Sequence, residues 1–128
     1  MSMVDNKTNK AAAVDFLQLV VAGDIDQAYA KYVDMEGKHH NAFFAAGFPA
    51  LKKAMAEAHL QFPNKVFQTK HVLGDNDMVA VHSHMALKPG EMEFGTLHLF
   101  RFKDGKIVEM WDLGQQVPAE GANQDGMF

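Results

Sequence analysis

Two hydrophobic periods divide the chain. As far as Phe62 the apolar residues recur at three- and four-residue spacing, and from Lys65 onward they alternate with polar ones. Val14, Leu17, Val20 and Val21, broadened by Phe16, predict a helix that Gly23 stops. Asp24 opens a second, short helix with Gln27 as a capping-box partner and a stripe of Ile25, Ala28, Tyr29 and Tyr32. Asp34 to Gly47 has no clear period and reads as a loop carrying His39-His40-Asn41. A third helix begins near Pro49, carries Leu51, Met55, Ala58 and Phe62 on one face, and ends at Pro63.

The alternating half predicts four strands, Val66 to Leu73, Met78 to Leu87, Phe94 to Phe102 and Lys106 to Leu113. They are separated by Gly74-Asp75-Asn76-Asp77, Lys88-Pro89-Gly90-Glu91 and Asp104-Gly105, all turn chemistry. Such short connections join antiparallel neighbours. Helices first and an antiparallel sheet afterwards is an α+β arrangement, with helices packed on one sheet face.

The last hairpin decides which polar side chains share a face. A two-residue turn, Asp104-Gly105, places His98 opposite Trp111 and turns Asp112 to the other side. A three-residue turn with Gly105 in the left-handed region shifts the register by one. His98, Phe100, Phe102, Val108, Met110 and Asp112 then share a face, leaving Leu97, Leu99, Arg101, Ile107, Glu109 and Trp111 on the other. The second register partitions the residues more cleanly and is the one expected. It isolates an imidazole and a carboxylate on an apolar surface. His82 and His84 alternate with Ala80 and Ala86, small residues that would leave room as a cavity wall does.

Composition narrows the function classes. The chain has 128 residues, 48% of them hydrophobic, and no cysteine, which excludes disulfides, thiolate metal sites and cysteine nucleophiles. A formal charge of -4 with no basic block beyond Lys52-Lys53 gives nucleic acid no electrostatic footprint. The polar start, Met1 to Lys10, lacks a signal-peptide core, and no apolar run approaches a membrane span, so a cytoplasmic protein without membrane attachment is expected. Ten Phe, nine Met and seven His supply soft apolar bulk with titratable groups. The apolar outer face predicts a homodimer.

The helices followed by the run from Phe100 to Asp112 resemble the SnoaL-like polyketide cyclases of the nuclear transport factor two-like superfamily. The His40-Asn41 pair, the Val79-to-His84 strand and the Gly126-Met127-Phe128 ending are similar to proteins described as SnoaL-like aldol-condensation enzymes. That resemblance implies one SnoaL-like domain over residues 1–128, with 115–128 an irregular tail; Met127-Phe128 is separately expected to fold back over an apolar edge of its own or a partner's pocket. It implies a cone-shaped, cystatin-like fold whose N-terminal helices pack on a curved antiparallel sheet and enclose a pocket. It further implies a cofactor-independent cyclase, isomerase or lyase acting on a small apolar, polyketide-like molecule. Asp112 matches the family's general acid/base and His98 its partner, while the look-alikes carry Asp and His where this chain has His98 and Met110. His40, Asn41, His82, His84, Phe100 and Met110 are the expected substrate-binding residues, and no metal or other cofactor is called for. His82-x-His84 is also similar to the paired imidazoles of cupins, but the remaining cupin ligands are not at their spacing. The other class open to the fold is a non-catalytic small-molecule-binding or dimerisation domain.

Overall fold

The computed structural model describes residues 3–128, with side chains from Asn6 onward; Met1 and Ser2 of the polar start lie outside the described residues. Three helices come first, α1 (Met3–Ala22), α2 (Ile25–Tyr32) and, after strand β1 (Val33–His39), α3 (Phe48–Gln61). Then come β2 (Val66–Asp75), β3 (Met78–Lys88), β4 (Glu91–Lys103) and β5 (Lys106–Gln116). The strands make one curved sheet in the order β1-β5-β4-β3-β2, antiparallel except for β1 beside β5. This is the α+β class expected from the change of period.

One sheet face is covered by the helices. Phe16 and Leu17 of α1, Ile25, Ala28 and Tyr29 of α2, and Phe48 and Leu51 of α3 pack on Val79, Val81, Phe100, Phe102, Ile107 and Met110. Phe16 meets Tyr29 and Phe100 edge-on, with centroids 5.4 and 5.9 Å apart, the geometry that ring quadrupoles favour. Val14 and Val21, expected in the buried stripe, are only half-buried; the inward face of α1 runs through Ala13, Phe16 and Leu17 instead. Asp24 stands at the N-cap of α2 but its side chain makes no capping bond.

The expected loop from Asp34 contains a strand. Val33–His39 pairs in parallel with β5, a partner some seventy positions away that no local pattern announces. Gly37 lets it approach: a Cβ there would collide with the carbonyl oxygen of Val108 and lie 2.9 Å from the Phe48 ring.

The final hairpin corrects the expected turn. Lys103 pairs with Lys106 across the two residues Asp104 and Gly105, both with positive φ (52° and 79°), the conformation of a type I′ turn. Phe102 then faces Ile107, but Arg101 faces Glu109, so Val108 is an extra residue in β5. This bulge shifts the register by one and restores the parity that the three-residue turn was expected to supply. Ile107, expected outside, is fully buried in the core, and Val108, expected inside, sits at the bulge, half-buried.

β5 runs to Gln116, two residues into the expected tail, and the residues beyond it fold back onto their own sheet. Met127 and Phe128 lie 3.2 and 3.4 Å from where a Gly95 Cβ would be, on the face away from the helices.

Candidate active site

Cross-strand pairing puts His98 directly opposite Asp112 on the helix-covered face. Their side chains retain 16% and 20% exposure, and His98 Nε2 lies 4.0 Å from Asp112 Oδ2. The imidazole stands parallel to the Phe100 ring, with centroids 6.1 Å apart. Burial pushes the His98 pKa below its usual 6.5, against an upward pull from the Asp112 charge. The imidazole is thereby held neutral near pH 7. His98 Nδ1 and Asp112 Oδ1 are buried and have no hydrogen-bond partner in the protein. Tyr29, buried beneath the pair, has its phenol pKa raised by that burial and by the Asp112 charge.

The run His39-His40-Asn41 continues the line of β1 and alternates as a strand does. The His40 N–H donates to the Met110 carbonyl at 2.8 Å, which holds the run beside β5. Asn41 faces inward, and its Nδ2 donates to Asp112 Oδ2 at 2.9 Å. His40 faces outward; its ring stacks on Trp111 with centroids 5.1 Å apart, and its Nε2 meets Glu109 Oε2 at 2.7 Å. That hydrogen bond is the main reason the Glu109 carboxyl is held below its usual pKa, with Lys38 and Arg101 adding to it. His39 points inward and is buried, 7% exposed.

His98, Asp112 and Asn41 are therefore brought together. Phe100 and Met110 are beside them in sequence register but bury their side chains in the core, at 0% and 4% exposure. His82 and His84 are placed otherwise than expected. Val79, Val81 and Ser83 are the buried inner positions of β3, so its two histidines fall on the outer face by alternation. There His82 Nδ1 lies 3.0 Å from His71 Nδ1, and His84 Nε2 is 2.7 Å from Glu93 Oε1. Phe128 stacks on His84 with centroids 4.2 Å apart. A hollow of about 280 Å³ on this side is lined by His82, Leu97, Leu113, Gln115 and Met127, among others. His39 was missed by sequence reasoning; its only signal was its place at the head of three consecutive polar residues that a strand would split between two faces.

A SnoaL-like domain model matches residues 13–110. The chain belongs to the SnoaL-like family. Solved structures agree in fold. A candidate ketosteroid isomerase from Kribbella flavida has a TM-score of 0.74 at 12% identity, covering 97% of this chain and 90% of its own. AclR from Streptomyces galilaeus, a candidate hydroxylase, gives 0.73 at 21% identity, with 89% and 91% covered. IdmH from Streptomyces antibioticus, a candidate polyketide cyclase, gives 0.68 at 15% identity, with 84% and 91% covered. No curated protein matches the chain. Likenesses at these identities establish the SnoaL-like fold and leave the reaction to the residues of the site. Among the described residues, no group of three or more His, Asp or Glu is arranged to hold a metal ion, and no helix is long and apolar enough to cross a membrane.

Proposed function

We propose that this SnoaL-like chain is a polyketide cyclase of the aldol-condensation type, acting in the cytoplasm on a small apolar, polyketide-like molecule. The observation that carries the reading is the His98–Asp112 pair, directly cross-strand, mostly buried and 4.0 Å apart at the nearest nitrogen and oxygen. Asp112 takes a proton from the carbon alpha to a carbonyl, leaving an enolate. The enolate carbon attacks a second carbonyl of the same molecule, forming the ring C–C bond and an alkoxide. The proton on Asp112 then returns to that alkoxide, directly or through His98. A neutral imidazole suits this work because it can accept a proton and also donate one. Folding a flexible chain so that its reacting carbons meet supplies much of the remaining acceleration.

Asp112→Asn tests the assignment with 1,3-dicarbonyl and polyketide-ester substrates. The amide cannot act as a base, so turnover falls by about 10²–10⁴-fold, the usual contribution of general acid–base catalysis, while circular dichroism stays unchanged. Retained turnover in that variant rejects Asp112 as the base. A ligand that protects the Asp112 region but is never converted by the wild-type protein assigns the chain to the non-catalytic binding class.

We also propose that the protein is a homodimer through the outer sheet face. Leu73, Leu97 and Leu113 stand there at 68%, 38% and 69% exposure, an apolar surface of the kind that marks an interface.

A further inference from the structure

We infer that His39 is a positioning residue of this site, acting on Asp112 through Asn41; the inference rests on Asp112 being the base. Asn41 is held at its backbone and at both ends of its side-chain amide, and its backbone carbonyl oxygen also accepts the Phe44 N–H at 3.4 Å. Its backbone N–H donates to His39 Nδ1 at 3.1 Å, its Oδ1 accepts the Phe43 N–H at 2.9 Å, and its Nδ2 donates to Asp112 Oδ2 at 2.9 Å. The Phe43 bond fixes which way the amide points. A flipped amide would set an oxygen against the carboxylate and a donor against a donor. The His39 bond fixes the backbone from which that amide hangs.

His39 itself reaches across the base of the segment. Its Nε2 lies 2.8 Å from the Ala45 carbonyl oxygen while its Nδ1 accepts from Asn41, so the ring is the neutral Nε2–H tautomer. An apolar side chain would be the ordinary occupant of a buried strand end facing Met110. The imidazole instead satisfies two backbone groups, two and six residues further along the chain, closing residues 39–45 into a staple. With Oδ2 of Asp112 held by Asn41, Oδ1 is left buried and without a protein partner.

The test is a double-mutant cycle of His39→Leu and Asn41→Ala in the full chain, with kcat and KM measured separately and the Asn41 side-chain amide followed by ¹⁵N–¹H NMR. Each single variant lowers kcat by about 10²-fold, the cost of misplacing a catalytic group by an ångström, with KM nearly unchanged. The double variant loses no more than the worse single one, since both act through the same contact. His39→Asn, whose oxygen can still accept the Asn41 N–H, recovers most of the rate. In His39→Leu the Asn41 amide signal shifts toward that of a free amide, a readout that needs no turnover. Multiplicative losses in the double variant, an effect confined to KM, or an unmoved Asn41 signal would each overturn the inference. Should Asp112→Asn keep its turnover while the Asn41 signal still moves in His39→Leu, Asp112 is not the base and the His39–Asn41 contact stands.

Discussion

Replacing His98 by Gln changes how the protein responds to acid. Burial holds the His98 pKa below the 6.5 it has in the unfolded chain, and the Asp112 charge only partly opposes this. The folded state therefore binds the His98 proton less readily than the unfolded state does. Its contribution to stability is fully present above pH 6.5 and is lost as the pH falls from there toward the lower folded value. Within that window one proton changes the unfolding free energy by up to about 1.4 kcal/mol per pH unit. Urea unfolding at half-unit steps from about pH 7.5 to 5 measures the slope directly, provided the m-value holds constant. The chain has six other histidines, so the wild-type slope alone decides nothing. The informative quantity is the difference between wild type and His98→Gln, a slope of positive sign and at most one proton. Asp112→Asn supplies the control. It removes the charge that favours the imidazolium, so the His98 Cε1–H resonance titrates at still lower pH than in wild type. Equal slopes in wild type and His98→Gln, or a His98 midpoint at or above 6.5, would refute the claim that the imidazole sits neutral in a desolvated place.

Gly37→Ala drives a Cβ into the Val108 carbonyl, backbone that has little freedom to retreat, and costs about 1–3 kcal/mol by overpacking, read as a lowered urea midpoint. Because β1 carries the His39–Asn41 run, that variant also loses the Asn41 amide signal characteristic of the Asp112 contact. For the dimer, Leu97→Glu turns a concentration-independent dimer elution volume into that of a monomer, whereas a wild-type monomer at all concentrations removes the outer face as an interface.

Parity and punctuation made most of the fold legible. Gly23 ends α1 with a positive φ that glycine adopts freely, Pro49 suits the first turn of α3 and Pro63 stops it, while alternation from Val66 onward is a strong strand signal because each strand buries one side. Strand β1 was hidden for the same physical reason in reverse. It lies at a sheet edge, buries chiefly Val33 and His39, and pairs with a strand far along the chain. The histidines of β3 illustrate a second limit. Alternation shows that His82 and His84 share a side, but the side facing the helices is set by the packing of Val79 and Val81 into the core beneath α1, which small neighbouring alanines do not reveal.

The site depends on the same parity, and here the chain puts His98 and Asp112 on one face as expected but by a different route, with His98 and not Thr96 directly opposite the carboxylate. A type I′ turn suits the right-handed twist of two paired strands, which is why Asp104-Gly105 closes the hairpin with two residues instead of three. Carried forward unbroken, that register would set Trp111 opposite His98 and send the carboxylate to the outer face. Val108 intervenes as one unpaired residue, and every position of β5 beyond it changes sides. Ile107 can then fill the core before the bulge and Met110 after it, with Asp112 facing inward beside His98. The bulge also brings the Val108 carbonyl against Gly37, where β1 crosses close enough to extend His39 and Asn41 along the far end of β5. One inserted residue thus sets both the partner of the carboxylate within the hairpin and the donor that reaches it from outside, which ties the geometry of the candidate base to the backbone and not to a flexible loop.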